Sequence, residues 1–405
     1  MTIGIIGGGP AGLAAAITAA QAGASVTLLE KMNRVGRKLL TTGNGRCNLS
    51  NEDTDLAHYH GAPAFIQKVF EQVAPEDVLN FWDGLGLRFT TENGRIYPMS
   101  LQASSALDAM RLEAERLGVR ILCETPVRTI RRSKGGWMTG SGDSSVGPFD
   151  QLILTVGGKA SPQLGADGDV IPLAKQLHHT VCPLRPALVK LKCASPYLKS
   201  LAGCRLDALA VLRSNGTEID ERFGEVLFTE EGLSGPPILD LSRQALEPGR
   251  EAEISIVLFP EMNAGECFAM IEERCRRFPY MTLPEMLSGI LNKRLIVPLI
   301  KEAGLNLQMT AGELNKRQIG ALSGLLREWT FPVIGDGGWR DAQITVGGIA
   351  TEEIDPQKMS SRKEKNCYFA GEAIDVDGDC GGYNLLWAVA TGILAGRSAS
   401  QEHIG

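Results

Sequence analysis

The sequence predicts an α/β protein, in which the two ends of the chain build a Rossmann-like nucleotide-binding domain. A β-barrel-like segment and a small helical segment are inserted between them. Three observations predict this. The first thirty residues run through an apolar stretch, a Gly-rich turn, an Ala-rich stretch and a second apolar stretch. The C-terminal region repeats a strand, glycine turn and apolar helix. The intervening residues change to short β-like runs and then to helical spacing.

Ile3–Ile6 is continuously apolar, as suits a parallel strand buried on both faces. Gly7-Gly8-Gly9-Pro10-Ala11-Gly12 supplies G-x-G-x-x-G, and an Ala-rich helix from Ala11 to about Ala22 ends at Gly23, a natural C′ residue. Ser25–Leu29 is the second strand, and Glu30 stands at its end, 18 residues beyond Gly12. Each residue type has a task in binding a dinucleotide. Gly7 allows the tight turn, Gly9 lets the backbone approach a pyrophosphate, and Gly12 lets helix and strand pack closely. The helix start at Pro10 and Ala11 presents free N–H groups to phosphate. Glu30 can accept from ribose hydroxyls and disfavours a 2′-phosphate, which leaves FAD or NAD. Lys31, Arg34, Arg37 and Lys38 form a basic run beside this unit, and the phosphates of the ligand itself are its expected partners.

The C-terminus decides between FAD and NAD. Asn366–Gly371 reads as a strand ending in Gly371-Glu372. An acidic loop containing Asp375, Asp377 and Asp379 follows, then Gly381-Gly382-Tyr383-Asn384 and an apolar helix over Leu385–Ala395. NAD needs only one half-sheet, whereas a late strand and helix returning to the sheet can hold the ribityl chain and flavin of FAD. A helix N-terminus at Gly382-Tyr383-Asn384 can stabilise the negative charge that builds on the flavin N1/O2 edge upon reduction. Gln151–Gly158 is a third strand that ends in glycines, Gly157 among them. Val127, after Glu124-Thr125-Pro126, lies on an edge segment whose backbone can reach the adenine.

Between about Pro186 and Gln343, short β-like runs at 187–192, 206–212, 225–229, 252–259 and 343–346 are separated by turns. The stretch from Asn263 to Trp329 is helical instead, at 265–277, 282–290, 293–303 and 312–329. The expected organisation is a nucleotide-binding domain over 1–185 plus 345–405, a barrel-like substrate domain over 186–260 plus 330–344, and a helical insertion over 261–329.

The stretches GIIGGGPAGLAAA, EKMNRVGRKLLTTGNGRCNLSN, FTEEGLSGPPILDLS and YFAGEAIDVDGDCGGYNLLWAVATG together resemble the BaiN/YhiN-like family of FAD-dependent oxidoreductases, which includes an aminoacetone oxidase-type branch. The pairing of GRKLL-x-TGNGRCN with GE-x-x-D-x-x-G-x-x-GGYN is far more specific than G-x-G-x-x-G. The resemblance implies the two-dinucleotide-binding-domain flavoprotein architecture, with the TGNGRCN loop running along FAD and the GGYN turn capping the isoalloxazine. It places Arg37, Lys38, Thr42, Gly43, Asn44, Gly45, Arg46, Asp375, Gly382, Tyr383, Asn384 and Leu385 on or beside the cofactor, with Leu39 at the head of the loop. Relatives commonly carry a histidine where this chain has Glu230. Glu230 and Tyr383 are therefore the candidates for proton transfer.

The expected activity is hydride exchange between non-covalently held FAD and a small organic substrate. Two chemistries are implied: reduction of an activated C=C with NAD(P)H as source, and oxidation of a small amine or amino-ketone by oxygen. Because no second G-x-G-x-x-G follows a strand, a nicotinamide would dock transiently. A flavin-binding regulatory or RNA-related protein is the alternative from another class.

Composition restricts these readings. In 405 residues the net charge is −6, which gives no encouragement to nucleic-acid or anionic-membrane binding. The apolar fraction of 43% contains no run of the ~20 residues that span a bilayer. Nine scattered cysteines without a CxxC fit reduced thiols in a cytoplasmic protein, and MTIGIIGGG has no basic leader region. His58/His60 and His178-His179 lack supporting acid or cysteine ligand spacing, so no metal site is expected. Cys47 is read as a packing residue and Cys380 as a spectator rather than as a redox pair.

Overall fold

The computed structural model describes residues 1–401 and divides them into two compact units, residues 1–186 with 342–401 and residues 187–341. The first unit is organised by a seven-stranded sheet. Its order is 354–355, 360–361, 367–369, 151–154, 2–6, 25–29 and 120–122. The last five are parallel, with Ile5 opposite both Ile153 and Leu28, while the pair at one edge runs antiparallel. The central strands are apolar on both faces because both are covered, one by helices 10–21 and 383–401 and the other by a three-stranded sheet of 129–133, 136–141 and 144–149, whose Phe149 packs against Gly4. Ile3, Ile5, Leu28, Ile153 and Phe369 are fully buried.

The first helix spans Pro10–Gln21, with Gly9 before it and Pro10 in the position where a missing N–H costs nothing. It ends as its sequence predicts: Gly23 has φ +86°, and the N–H of Ala24 returns to Ala19 O at 3.1 Å. The last helix, Tyr383–Gln401, is longer than its sequence pattern indicates and crosses the first at short range. Gly392 and Gly396 make that possible, since a Cβ on either would stand 2.4 Å from a carbonyl oxygen, of Ala11 and Ala15 respectively. The two glycines form a G-x-x-x-G pattern. No helix among the described residues is long and apolar enough to cross a membrane.

The second unit is a closed six-stranded barrel formed by 191–193, 232–234, 217–228, 205–214, 252–257 and 329–336, all pairs antiparallel. Phe228, Trp329 and Phe331 fill its interior with ring centroids 5.0–6.0 Å apart. Helices 264–277, 283–287, 293–302 and 316–327 correspond to the helical stretch. Asn263 with Glu266, and Asn315 with Gln318, form reciprocal caps at two of their starts. The helical residues Ile271, Leu287, Leu299 and Leu322 share one core with the barrel residues Ile254 and Phe331. The insertion therefore has no hydrophobic core of its own. The strand at 344–346 belongs to the first unit.

Gly396→Val would force a side chain into the Ala15 backbone. The expected cost is ~1–3 kcal/mol, read as a lowered thermal midpoint by circular dichroism, with FAD retention falling in parallel. An unchanged melt would show that the two helices can separate freely.

Candidate active site

The turn after the first strand combines two packed glycines with one open one. Gly7, at φ +108°, directs its N–H to Leu29 O (2.8 Å), and a Cβ on it would strike Thr155 O at 2.4 Å. Gly12 is tighter still, with its would-be Cβ 1.9 Å from Gly7 O. Gly9 differs from both, because no protein atom lies within 4 Å of its would-be Cβ. Gly7 and Gly12 are thus required by the protein's own packing, whereas Gly9 keeps space open in front of the helix. The N–H of Leu13 is the first to bond within the helix, to Gly9 O, so those of Ala11 and Gly12 remain for a ligand.

Glu30 is fixed before any ribose arrives. One carboxylate oxygen accepts from Gly8 N–H at 2.7 Å and the other from Met32 N–H at 2.8 Å. Each oxygen keeps a second lone pair for a hydroxyl. Beyond it opens a small cleft lined by Ile6, Gly7, Glu30, Lys31, Val127 and Leu173 among others. Val127 thus lines the space next to the Glu30 carboxylate, where the edge segment is expected to meet an adenine. Gly157 takes φ +72° just beyond Val156, which lines the same cleft.

Residues 39–51 coil tightly. Gly43, Asn44, Gly45 and Cys47 all take φ between +55° and +85°. Thr42 closes the coil by donating to Leu39 O at 2.7 Å and accepting Cys47 N–H at its carbonyl (3.0 Å). Leu39 is buried beneath it. The loop then locks onto the C-terminal turn. Asn51 Nδ2 donates to Gly381 O at 2.9 Å, and a Cβ on Gly382 (φ +102°) would meet Ser50 O at 2.6 Å and Asn48 Oδ1 at 2.8 Å. Asn48 Oδ1 and Ser50 Oγ are buried without a hydrogen-bond partner among the described residues. Burial pushes the Cys47 thiol up to about 12, against a smaller opposing effect of Thr42. Cys47 is a neutral packing group.

Several expected contacts are redirected. Lys31 lines the cleft, but its ammonium is held by Asp167 and, at 2.7 Å, by Asp169 rather than standing ready for phosphate. Lys38 pairs with Glu372 at 2.6 Å, while the other Glu372 oxygen accepts Thr345 N–H at 2.9 Å. Both side chains brace the strand ends. Arg46 turns away to Glu92 at 2.5 Å and lies over the Tyr97 ring at 4.5 Å. Asn384 spends its carboxamide on the acidic loop, accepting Gly378 N–H at 2.9 Å and donating to Gly378 O at 2.6 Å, so its side chain is not the group that meets a reduced flavin. Tyr383 is 3% exposed, stacked on His58 and edge-on to Tyr59, which makes its ring a packing element rather than an open proton donor. Asp375 is half-buried, and its carboxylate, together with stronger burial, raises the Cys182 thiol to about 12. Gly371, at φ +73°, lies against Ala11, and its N–H donates to Thr391 Oγ1. Arg37 is half-buried, and Leu385 is buried at the helix start. Glu230 belongs to the second unit, exposed in a turn where Thr229 N–H reaches Gly232 O at 2.8 Å.

The residues present fit FAD. The room beside Gly9, the pinned Glu30, the adjoining cleft and the glycine-opened start of helix 383–401 match what a dinucleotide flavin cofactor requires. Sequence reasoning missed Asn51 and Thr155, whose Oγ1 donates near Ile6 O and Gly7 O at 2.9 Å, and the group formed by His58, His60 and Asp379. The spacing His58-x-His60 and the acid in the loop were available signals. No group of three or more histidine, cysteine or acidic side chains among the described residues is placed to hold a metal ion.

The family described as HI0933-like protein Rossmann domain matches residues 1–398. The chain is 38% identical to a 3-dehydro-bile acid delta(4,6)-reductase of Clostridium scindens over 99% of each chain. It is 31% identical to a ribosomal RNA dihydrouridine synthase of Escherichia coli, over 95% of this chain and 94% of that one. Among solved structures, the 3-ketosteroid delta1-dehydrogenase of Sterolibacterium denitrificans shares the fold at TM-score 0.51 and 12% identity, covering 98% and 99% of the two chains.

Gly9→Ala should melt like the unmodified protein yet bind FAD at least about tenfold more weakly, because its methyl meets only the cofactor. Gly12→Ala should instead lower the melting temperature directly. Fluorescence titration and a thermal melt separate the two, and a Gly9→Ala protein that stays fully yellow would remove pyrophosphate from this turn.

Proposed function

The chain belongs to the HI0933-like Rossmann-domain family and is an FAD-dependent oxidoreductase, and we propose that it saturates a C=C bond conjugated to a carbonyl in a small organic substrate, with NAD(P)H as the hydride source. The observation that carries this reading is the 38% identity, over 99% of both chains, to a reductase named for acting on such ring double bonds. The dihydrouridine synthase names point to the same class of change, a ring double bond becoming single. Bound FAD supplies hydride exchange at N5. Across the reaction the substrate gains one hydride and one proton, and the nicotinamide loses the hydride.

The chain's own residues bind and orient. Ala11 and Gly12 offer N–H groups to the pyrophosphate, and Glu30 holds the adenosine ribose. The start of helix 383–401 sets N–H groups and a positive dipole end where negative charge develops. Asn384 and Asn51 keep that helix start rigid by holding Gly378 and Gly381. Rigidity here matters because donors that need not reorient during the reaction stabilise developing charge at the least cost.

A second reading, reduction of a pyrimidine within RNA, draws on the relatives at 31% and 29% identity. The net charge of −6 weighs against a polyanionic substrate.

Anaerobic mixing distinguishes these readings. NADH or NADPH should bleach the bound flavin near 450 nm within seconds (on the order of typical turnover), and a cyclic dienone should restore the colour. Restoration by uridine-containing ribosomal RNA but not by the dienone would favour the second reading. Bleaching by small amines with peroxide release in air, and none by nicotinamide, would replace both with an oxidase.

A further inference from the structure

The short strand pair that closes the acidic loop carries a cluster that the cofactor contacts do not use. Residues 59–60 run antiparallel to 377–378, with Tyr59 opposite Gly378 and His60 opposite Asp377. His58 ends the short 3-10 turn 56–58, and His60 lies in the strand that follows it. Both meet one carboxylate. His58 Nδ1 is 3.1 Å from Asp379 Oδ2, and His60 Nε2 is 2.8 Å from Asp379 Oδ1. The remaining His58 nitrogen, Nε2, is 3.0 Å from Asp53 Oδ2. A neutral imidazole has one donor nitrogen and one acceptor nitrogen, and an ionised carboxylate only accepts. Both His58 contacts are hydrogen bonds only when the ring is an imidazolium.

That ring is placed to matter. It lies flat on Tyr383, with centroids 4.4 Å apart and planes 18° from parallel, at the first residue of helix 383–401. Its carbonyl accepts Asp379 N–H at 2.9 Å. Asp379 begins the four-residue turn through Cys380 and Gly381 to Gly382, which Asn51 and Asn384 hold from the other sides. His58 therefore touches both ends of the turn that presents the helix N–H groups.

We propose that His58, carrying a proton between Asp53 and Asp379, is a positioning residue that sets the Asp379–Gly382 turn, and through it the start of helix 383–401, against the flavin. The inference rests on the FAD reading above. The groups that face His58 are Asp53 on its own loop, Asp379 on the acidic loop with His60 sharing that carboxylate, and Tyr383 on the helix. Loss of the proton leaves a ring lone pair against a carboxylate, which repels it and frees the turn. Burial by itself would lower the His58 pKa, but the bonds to Asp53 and Asp379 outweigh it and raise the folded value. The imidazolium is thus fully present below the ordinary histidine value of about 6.5 and is lost as pH rises through the higher folded value.

The test measures the FAD dissociation constant of the holoenzyme by flavin fluorescence on dilution, between about pH 6 and about pH 9. Affinity of the unmodified protein should fall about threefold to tenfold across that window. His58→Gln and His58→Phe should bind FAD more weakly at the acid end and converge with the unmodified protein at the alkaline end. A mere packing role would give the same loss at every pH. Asp53 is exposed, so Asp53→Asn tests the idea without endangering the fold, and should move the midpoint to lower pH. FAD bound with a flat pH profile, or an unchanged midpoint in Asp53→Asn, overturns this inference alone. An unmodified protein that binds no FAD overturns the cofactor reading together with it.

Discussion

The close crossing of the first and last helices is the constraint on which the cofactor site depends. A G-x-x-x-G face on the last helix lets its backbone lie against the carbonyls of Ala11 and Ala15. Gly371 adds a further close approach, with its would-be Cβ 2.9 Å from Ala11 Cβ. These contacts bring the dinucleotide turn at residues 7–12 and the GGYN turn at 381–384 into one unit, although most of the chain separates them. Bulk at this crossing would push apart the N-termini of the first and last helices, around which the two motifs gather.

A second regularity concerns where the polar side chains of the motifs go. Asn384, Glu30, Lys38 and Glu372 all look ligand-facing in sequence, and Asn51 stands at the end of the same loop motif. In the structure each bonds first to the protein: Asn384 to Gly378, Asn51 to Gly381, Glu30 to Gly8 and Met32, and Lys38 to Glu372. Their effect is to fix backbone that would otherwise move. A glycine-rich turn has many accessible conformations, and holding one of them requires partners from outside the turn. The coil at 39–51 meets this need for the GGYN turn, which explains why the two motifs occur together in one chain.

Much of the first unit was legible from residue pattern. The strand at 2–6, the helix after it, its end at Gly23 and the acid at position 30 follow from apolar continuity, glycine placement and spacing, all local properties. The helical stretch between 263 and 329 was equally readable from its periodicity. Its sharing of a core with the barrel was not, because periodicity shows which face is apolar and leaves open what covers it. Cys47 was read as packing, and its complete burial agrees. Arg46 was read toward the cofactor, yet a flexible side chain takes whichever acid and aromatic ring the fold supplies, here Glu92 and Tyr97.

By itself the sequence determined the elements and the dinucleotide turn, because backbone sterics and apolar periodicity act over a few residues. The tertiary structure alone decided the partners of the charged and amide groups. His58, His60 and Asp379 lie some 320 positions apart and form one cluster only through the pairing of 59–60 with 377–378. Hydrogen bonding depends on separations of about 3 Å, and distance along a chain says nothing of such separations until the chain has folded.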